Sequence, residues 1–405
     1  MTGKIESTLH TGRLRRLTGM ARAGVGLARG MMERDPVAPI ARAVETLSEL
    51  RGLATKIGQM GGVWSAMLPV AERARADAIL ARLRSHTATS SALAVRTLVE
   101  AELSAPLDAL FATFEPEPFA SASIGQVHRA TLPDGTEVAV KVQHPGVAEA
   151  LRADLANVGN IAGLAAVLAF TDAHGVMDEV RARFEAELDY VQEAQTLARF
   201  AELFANDPEI AILRLVPERS SGKVLTTHFV RGSDADIAQH WPNARALGLT
   251  VRRFMRTAWL EHGLLFADPH SGNWIFHTNG RVTVLDFGCV IPFEIQERRA
   301  LTQILAAITQ GDEAGADRLI GDLVHAPTGR AGELLATSIR VVLEPLARDR
   351  PARAEDLECV VRLSGETKRG LIGHRWTPPP WLPLVLRALI GTTALLVTLE
   401  AQSTV

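Results

Sequence analysis

Two short runs in the last third of the chain hold acid and amide residues at a spacing that suits phosphoryl transfer. Asp268 is followed by Asn273, and Asp286-Phe287-Gly288 comes after a short apolar run. Moving a phosphoryl group is mostly a matter of positioning and charge neutralisation. One carboxylate orients the attacking oxygen, while an amide oxygen and a second carboxylate can hold Mg²⁺ against a triphosphate. The spacing therefore predicts Asp268 as the orienting base, with Asn273 and Asp286 as the magnesium ligands.

The residues around this set indicate the class of substrate. The run Arg281–Leu285 reads as a strand, so Asp286 should stand at a strand end. After Gly288 only a few residues precede the helical pattern Glu294–Ile308, whereas protein kinases have a longer segment that docks a peptide. His270 occupies a position that is usually Lys in protein kinases. Both features predict a substrate other than a peptide.

Strand signals further upstream predict the phosphate-binding part of such a site. A segment of small residues is followed by the turn Pro133-Asp134-Gly135 and by the alternating strand Glu137–Val142. We expect Lys141 in this strand to bridge the α- and β-phosphates of ATP. Alanine and serine side chains stand where protein kinases place glycine, which restricts how closely phosphates approach the backbone. The residues predicted to cradle the phosphates are Ala120, Ser121, Ala122, Ser123, Ile124 and Gly125.

A lysine that binds phosphates needs a carboxylate to hold it in place. The adenine of ATP needs a hinge segment whose backbone groups can bind it. The helical pattern Asp178–Arg199 offers Glu187 and Glu193, and the spacing leaves open which of them pairs with Lys141. The strand-like run Lys223–Gly232 predicts the hinge, where the backbone of Phe229 and Val230 would meet the adenine. A helical region from Ile237 to His262 then leads into the stretch Ala267–Asn273, which we call the catalytic loop because it holds the predicted base Asp268.

Composition excludes several classes of protein. The 405 residues carry a formal net charge of −3 and only two cysteines, which argues against nucleic acid as the main partner and against a disulfide framework. We expect Cys289 to be a buried small residue. The apolar stretches Leu155–Phe170 and Leu382–Leu399 are interrupted by polar residues, so we expect buried helices rather than membrane spans. These features predict a cytoplasmic protein, and peripheral attachment to the inner face of the membrane is left open, as is oligomeric state.

The amino-terminal third is helical in character. Residues 1–38 form a basic arm, which could attach to an anionic membrane surface or dock on the body of the protein. Lys56, one of five lysines in the chain, lies in the run Lys56-Ile57-Gly58-Gln59. The predicted domains are the arm at 1–38, a helical extension at 39–112, a kinase-like N-lobe at 113–232 and a helical kinase-like C-lobe at 233–405.

From about residue 40 onward the sequence resembles the UbiB/ADCK (AarF-type) atypical kinase family. The family's motifs occur in the right order, although Phe266, Ser271 and the hinge residues depart from its usual pattern. The matching positions are Lys56, Gly58 and Gln59 (Lys-x-Gly-Gln), Ala120 to His128 (the Ala-rich loop), Lys141, Glu187, Asp189 and Glu193 (the acidic motif), and Asp268, Asn273 and Asp286.

The resemblance implies an α+β, protein-kinase-like fold of two lobes with a helical extension that covers the active site. It also implies ATP and Mg²⁺ as ligands, Lys56 and Gln59 at the nucleotide pocket, and an ATPase or small-molecule kinase activity linked to ubiquinone or isoprenoid-lipid biosynthesis. An isoprenoid lipid, a quinone precursor or a membrane surface would then be the partner. Two alternatives are a nucleotide-sensing scaffold with negligible turnover and a phosphotransferase of the aminoglycoside or choline kinase type.

Overall fold

The computed structural model describes residues 89–122, 124–149, 152, 188–371 and 376–401. The predictions for Lys56, Gln59, Ser123 and Glu187 lie outside these residues, as do those for the arm and for the apolar stretch 155–170. The described part of the predicted extension contains two helices, α1 (Ala92–Leu103) and α2 (Leu107–Leu110).

The strands that follow α2 confirm the predicted hairpin arrangement. They belong to one sheet with the order β1-β3-β4-β6, in which β2 pairs with β3. Gly135, with a φ of +87°, supplies the left-handed residue in the turn between β3 and β4. The strands of this sheet are β1 (Thr113–Phe114), β2 (Ala120–Ser121), β3 (Gly125–Thr131), β4 (Glu137–Gln143) and β6 (Val224–His228).

Strand β4 explains why valines alternate with other residues in this part of the sequence. Val138, Val140 and Val142 are fully buried, while Lys141 is only half-buried. Because successive side chains of a strand point to opposite faces, Lys141 lies on the face away from these valines. The strand thus packs its valines into the interior and presents the lysine on its other face.

The described residues form two compact units. The first contains the described residues within 89–109, 114–129 and 141–152. The second contains those within 110–113, 130–140 and 188–401.

The second unit holds most of the helices and two small sheets. In one sheet β5 is parallel to β9 and β8 is antiparallel to it; in the other, β7 pairs with β10. The strands are β5 (Ile210–Ile212), β7 (Leu264–Phe266), β8 (Trp274–Phe276), β9 (Val282–Val284) and β10 (Val290–Pro292). The helices are α3 (Tyr190–Leu203), α4 (Ala235–Ala238), α5 (Ala244–Arg256), α6 (Ile295–Gln310), α7 (Glu313–Leu323), α8 (Arg330–Ala347), α9 (Ala354–Leu371) and α10 (Leu382–Glu400).

Aromatic side chains form the core of this unit beside the β7–β10 pair. The ring of Phe254 on α5 meets Phe200 of α3, Phe266 of β7 and Trp274 of β8, with centroids 5.4 to 5.9 Å apart. Phe287 joins the cluster with its centroid 4.7 Å from that of Phe200. Buried aromatic pairs of this kind contribute about 0.5–1.5 kcal/mol each beyond burial. The cluster therefore anchors the residue that follows Asp286.

The region from Ile237 to His262, which was predicted to be helical, is divided into two helices and a π-helical turn. Helix α4 ends at Ala238, and α5 begins at Ala244 after the turn that contains Pro242. Proline lacks an N–H and disfavours a helical residue before it, which explains the interruption. The last residues, Thr257–Glu261, form a π-helical turn instead of continuing α5.

Helix α10 lies inside the second unit, as expected for Leu382–Leu399. Among the described residues it is the one helix long and apolar enough to cross a membrane by length and composition, and more than half of that apolar window is buried within the protein. Its last residue, Glu400, forms a buried ion pair with Arg252 of α5. Burial raises the pKa of Glu400 and lowers the pKa of Arg252, because both charges leave water.

Candidate active site

The catalytic loop begins where β7 ends. Phe266 is opposite Val290 in the β7–β10 pair, and the Ala267 N–H donates to the Cys289 carbonyl at 2.9 Å. The next residue, Asp268, leaves the strand with its side chain half-buried. The pairing brings the start of this loop next to the residues that follow Gly288. Cys289 is buried, as predicted.

The loop after Asp268 is held by its own hydrogen bonds. Nδ1 of His270 accepts from the Gly272 N–H at 3.1 Å and so caps the short 3-10 helix Ser271–Asn273. The Asn273 N–H donates to the His270 carbonyl at 2.9 Å. The Asn273 side chain turns back, and its Nδ2 donates to the Asp268 carbonyl at 2.8 Å. Asp268 and Asn273 are therefore fixed relative to one another.

The hairpin of β8 and β9 brings Asp286 to the same place. Trp274 is opposite Val284, and the Leu285 N–H donates to the Asn273 carbonyl at 2.9 Å. Asn273 and Asp286 consequently lie at the same end of the hairpin. Oδ1 of Asp286 accepts from the Gly288 N–H at 2.9 Å, which orients this carboxylate. The structure thus brings the three predicted residues of the catalytic set together.

The donor set suits a magnesium ion. Because the Asn273 amide nitrogen is bonded to the Asp268 carbonyl, the amide oxygen is the atom directed away from that bond. Carboxylate and amide oxygens are the ligands that Mg²⁺ prefers, usually one or two from protein with substrate phosphates completing the shell. Within the described residues no group of three or more His, Cys, Asp or Glu could hold a metal. Asp286 with Asn273 is thus a partial set of the kind that Mg²⁺ shares with phosphates.

Glu193 lies close to this end of the site. It is buried in the first turn of α3. A Cβ placed on Gly288 would lie 3.2 Å from Oδ1 of Asp286 and 3.7 Å from Oε2 of Glu193, so both carboxylates flank this glycine. The lack of a side chain at Gly288 lets them approach one another.

The helix that carries Glu193 has a defined start. Helix α3 begins at Tyr190, and Asp189 is its extended N-cap, with a side chain that accepts from the Val191 N–H at 2.9 Å. Glu193 lies in the first turn of this helix, and Glu187 lies outside the described residues.

The predicted phosphate loop is a tight hairpin in the first unit. Ala120 is opposite Val127 and Ser121 is opposite Gln126, and the Ala122 N–H donates to the Gly125 carbonyl at 2.8 Å. The carbonyl of Ile124 accepts from the His144 N–H at 2.8 Å. Lys141 belongs to the same unit, on β4. Ala120 to Ala122, Ile124 and Gly125 are thereby brought together in one turn.

A buried polar chain fastens this hairpin, and the sequence reasoning missed it. Gln126 Oε1 accepts from the Ser90 N–H at 2.7 Å, and its Nε2 lies 2.8 Å from Nε2 of His128. Nδ1 of His128 donates to the Glu115 carbonyl at 2.8 Å, and burial lowers the pKa of this histidine. Ser90 Oγ also meets Nδ1 of His144 at 2.9 Å. These contacts hold β3 just after the phosphate loop.

The hinge residues follow β6 and extend the pairing of the β1-β3-β4-β6 sheet. The Phe229 N–H donates to the Glu137 carbonyl at 2.9 Å. Nη2 of Arg231 bonds both carboxylate oxygens of Glu137, at 2.7 and 2.6 Å, and its guanidinium lies 5.7 Å from the centre of the Phe229 ring. The N–H of Phe229 is thus bonded to the Glu137 carbonyl at the start of β4.

One residue at the catalytic loop was not predicted from sequence. Arg387 of α10 donates from Nη2 to Oδ1 of Asp268 at 2.7 Å. One turn further along α10, a Cβ on Gly391 would lie 3.0 Å from Cγ of Pro269. Arg387 is the one charged residue in the apolar run Leu382–Leu399. A lone arginine in such a run was the available signal, because charges in buried helices usually have a partner.

Comparisons with known proteins found a matching family and several similar proteins. The family described as the ABC1 atypical kinase-like domain matches residues 82–320. The chain is 28% identical over 364 residues to "Atypical kinase coq-8, mitochondrial" of Caenorhabditis elegans, which covers 84% of this chain and 46% of that protein. It is 36% identical over 199 residues to "Protein ACTIVITY OF BC1 COMPLEX KINASE 3, chloroplastic" of Arabidopsis thaliana, covering 47% of this chain and 28% of the relative. The chain thus spans about half or less of the length of these relatives.

Two further matches cover a larger share of the similar protein's own length. "Atypical kinase COQ8, mitochondrial" of Saccharomyces cerevisiae is 25% identical over 407 residues, with 94% of this chain and 78% of the relative covered. Among solved structures, the complex of Rv3197 with erythromycin from Mycobacterium tuberculosis matches with a TM-score of 0.60 and 27% identity, covering 77% of this chain and 80% of that chain. The kinase-like fold expected from sequence, with an antiparallel-sheet N-lobe, is confirmed. The chain belongs to the family of ABC1 atypical kinase-like (UbiB/ADCK) proteins.

Proposed function

We propose that this chain is an atypical kinase or ATPase that binds ATP with Mg²⁺ and cleaves the bond to the terminal phosphoryl group. The observation that carries the proposal is the fixed arrangement of Asp268, Asn273 and Asp286. Two backbone pairings and one side-chain bond hold them at the same end of the β8–β9 hairpin. Preorganised groups of this kind account for most of the catalysis in phosphoryl transfer.

Each residue has a distinct role in this proposal. Asp268 orients the attacking hydroxyl or water and accepts its proton. Asn273 and Asp286 offer side-chain oxygens to a magnesium ion, which would neutralise charge on the phosphates when bound. Lys141 pairs with the α- and β-phosphates, and Glu193 or Glu187 supplies its carboxylate. Val230 and the small residues of the phosphate loop contact the rest of the nucleotide.

The path of the chain after Gly288 favours an acceptor other than a peptide. Val290–Pro292 form β10, and α6 begins at Ile295, so only a short link joins the two. Oε2 of Glu297 accepts from the Glu294 N–H at 3.1 Å and fixes the start of this helix. A peptide-docking segment would need to be inserted here. Water or a small hydroxyl compound is the acceptor class that we propose.

The pathway part of the proposal rests on the family resemblance. We propose a role in ubiquinone or isoprenoid-lipid metabolism, where a lipid or quinone precursor would be the partner. The test is genetic: expression of this chain in a quinone-deficient strain, followed by lipid profiling. Restored quinone with the wild type, and no restoration with Asp286→Asn, is the expected result. Equal lipid profiles with and without the gene would contradict it.

The activity itself is tested with purified protein. We expect magnesium-dependent ATP turnover that falls by about 10²–10⁴-fold in Asp268→Asn and Asp286→Asn. Asp322→Asn, at an exposed position of α7, is the matched control and should keep the wild-type rate. Equal turnover in all four proteins would refute the enzyme proposal. Nucleotide binding without measurable turnover in the wild type would instead support the scaffold alternative.

A further inference from the structure

Helix α10 brings a guanidinium to the catalytic loop from far along the chain. The 2.7 Å bond between Nη2 of Arg387 and Oδ1 of Asp268 joins residues 119 positions apart. The side chains of Arg387 and Asp268 are 13% and 24% exposed, so the pair is largely shielded from water. A charge-assisted bond in such surroundings is about twice as strong as a neutral one and fixes direction as well as distance.

The loop itself supplies no equivalent cation. His270 is exposed, and its Nδ1 accepts from the Gly272 N–H, so this ring caps the 3-10 helix rather than supporting Asp268. The described contacts of the Asp268 carboxylate are with Arg387, while the Asp268 carbonyl is held by Asn273. The backbone of Asp268 is thus fixed by the loop, and its carboxylate is fixed by α10.

A second contact holds the same helix face to the loop. Gly391 is one turn after Arg387, and a Cβ there would lie 3.0 Å from Cγ and 3.5 Å from Cδ of Pro269. Pro269 directly follows Asp268, so α10 touches both residues. The end of α10 is itself held by the buried pair of Glu400 with Arg252.

We propose that Arg387 is a positioning residue for the reaction: it holds one oxygen of Asp268 so that the other can orient the attacking hydroxyl or water. This inference rests on the proposed function, since it assigns a helper to the proposed base. Arg387 acts through Asp268 and not through the nucleotide. A misplacement of about 1 Å at a reacting group can reduce the rate by about 10²-fold. The match to the ABC1 family ends at residue 320, so α10 adds this contribution from outside the matched segment.

The first experiment compares ATP turnover in the wild type, Arg387→Met, Arg387→Lys and Arg299→Met. Arg299 is an exposed arginine of α6 and serves as the matched control. We expect Arg387→Met to lower kcat by about 10²-fold with KM for ATP unchanged, because the nucleotide contacts are intact. Arg387→Lys keeps a charge without the planar fork and should lose less than the methionine variant. Arg299→Met should match the wild type.

The second experiment asks whether Arg387 acts through Asp268. In the Asp268→Asn background, Arg387→Met should cause no further fall in the residual turnover, because the group that it positions is already changed. A purely structural role would lower the residual turnover by the same factor in both backgrounds. Thermal unfolding of every variant shows whether it folds. If Arg387→Met does not fold, Arg387→Lys takes its place in both comparisons.

The outcomes separate the two proposals. If the wild type turns over ATP, Asp268→Asn is slowed to the expected residual rate and Arg387→Met is as fast as Arg299→Met, the positioning inference is overturned while the proposed function stands. An equal loss of rate in both Asp268 backgrounds, or a rise in KM with kcat unchanged, also overturns the inference. If the wild type and Asp268→Asn show the same turnover, the proposed function fails and the inference fails with it.

Discussion

Arg252 and Glu400 form an ion pair with 2.7 Å between Nη2 and Oε2, and both side chains are almost completely buried. Oε2 of Glu400 also accepts from the Ala352 N–H. A Cβ on Gly248 would lie 2.6 Å from Oε1 of Glu400, so the helices approach closely here. The pair joins α5 to the last turn of α10. Its contribution to stability can be measured directly.

Removing one partner of this pair should destabilise the protein strongly. We expect Glu400→Ala to lower the free energy of unfolding by about 3–5 kcal/mol, because Arg252 would stay buried without a counter-charge. The double variant Arg252→Met/Glu400→Leu should recover much of this loss, since no charge remains buried. Urea unfolding measures both. Glu358→Ala, at an exposed position of α9, is the control, and a loss no larger than in this control would contradict the prediction.

Asp207 should make the stability of the second unit depend on pH. Hydrogen bonds from Arg253 hold its pKa below the ordinary value of 3.8, and the Glu209 and Ile210 N–H groups also donate to it. Because the folded pKa is depressed, the unfolded state binds more protons at acid pH. The stabilisation is fully present above about 3.8 and is lost as the pH falls through the folded pKa.

This pH dependence is tested with Asp207→Asn. At neutral pH we expect the variant to lose about 1–2 kcal/mol of unfolding free energy, because a charged acceptor is replaced by a neutral one. The difference from the wild type should shrink at acid pH, where the wild-type carboxylate is protonated. Urea unfolding across the acid range measures it, with Asp236→Asn as the exposed control. A difference that stays constant with pH would show that the charge of Asp207 is not involved.

Two glycine-to-alanine changes should separate the contact of α10 with the catalytic loop from ordinary helix stability. Gly391→Ala would place a methyl group 3.0 Å from Pro269 Cγ, so the loop must shift; we expect a fall in ATP turnover of about 10-fold or more with nucleotide affinity unchanged. Gly365→Ala on α9 faces open space and should keep the wild-type rate while gaining up to about 1 kcal/mol from helix propensity. Matching rates in the two variants would contradict the close packing on Pro269.

A substitution in the phosphate loop should change the affinity of the protein for ATP. We expect Ala122→Gly to bind ATP more tightly, because removal of the methyl group lets the phosphates approach the backbone of the turn. Isothermal titration with a non-hydrolysable ATP analogue and Mg²⁺ measures this. Ala205→Gly, at an exposed turn position after α3, controls for general loosening of the chain. Identical affinities in the wild type and Ala122→Gly would refute this account of the loop.

The parts of the fold that sequence predicted are those with a local signal. The alternation of Val138, Val140 and Val142 with Lys141 specified β4, and the short link after Gly288 predicted the early start of α6. The proximity of Asp268, Asn273 and Asp286 was predictable because these residues come from one loop and one hairpin, close together in sequence.

The parts that sequence did not predict depend on contacts between distant segments. Arg387 meets Asp268 across 119 positions, and a single arginine in an apolar helix carries no periodic pattern that could name its partner. The start of α3 at Tyr190 depends on the capping side chain of Asp189. Sequence alone did not distinguish this N-cap from the other acidic residues near it.

Helix α10 is apolar enough for a bilayer, yet it is engaged at both ends within the protein. If it moved into a membrane, Asp268 would lose the guanidinium of Arg387, and Arg252 would be left buried without Glu400. Pro269 would also lose the surface around Gly391 against which it packs. Helix α10 therefore cannot lie in a bilayer and contact the catalytic loop at the same time. The hydrogen-bonded loop described above requires that α10 stays packed within the protein.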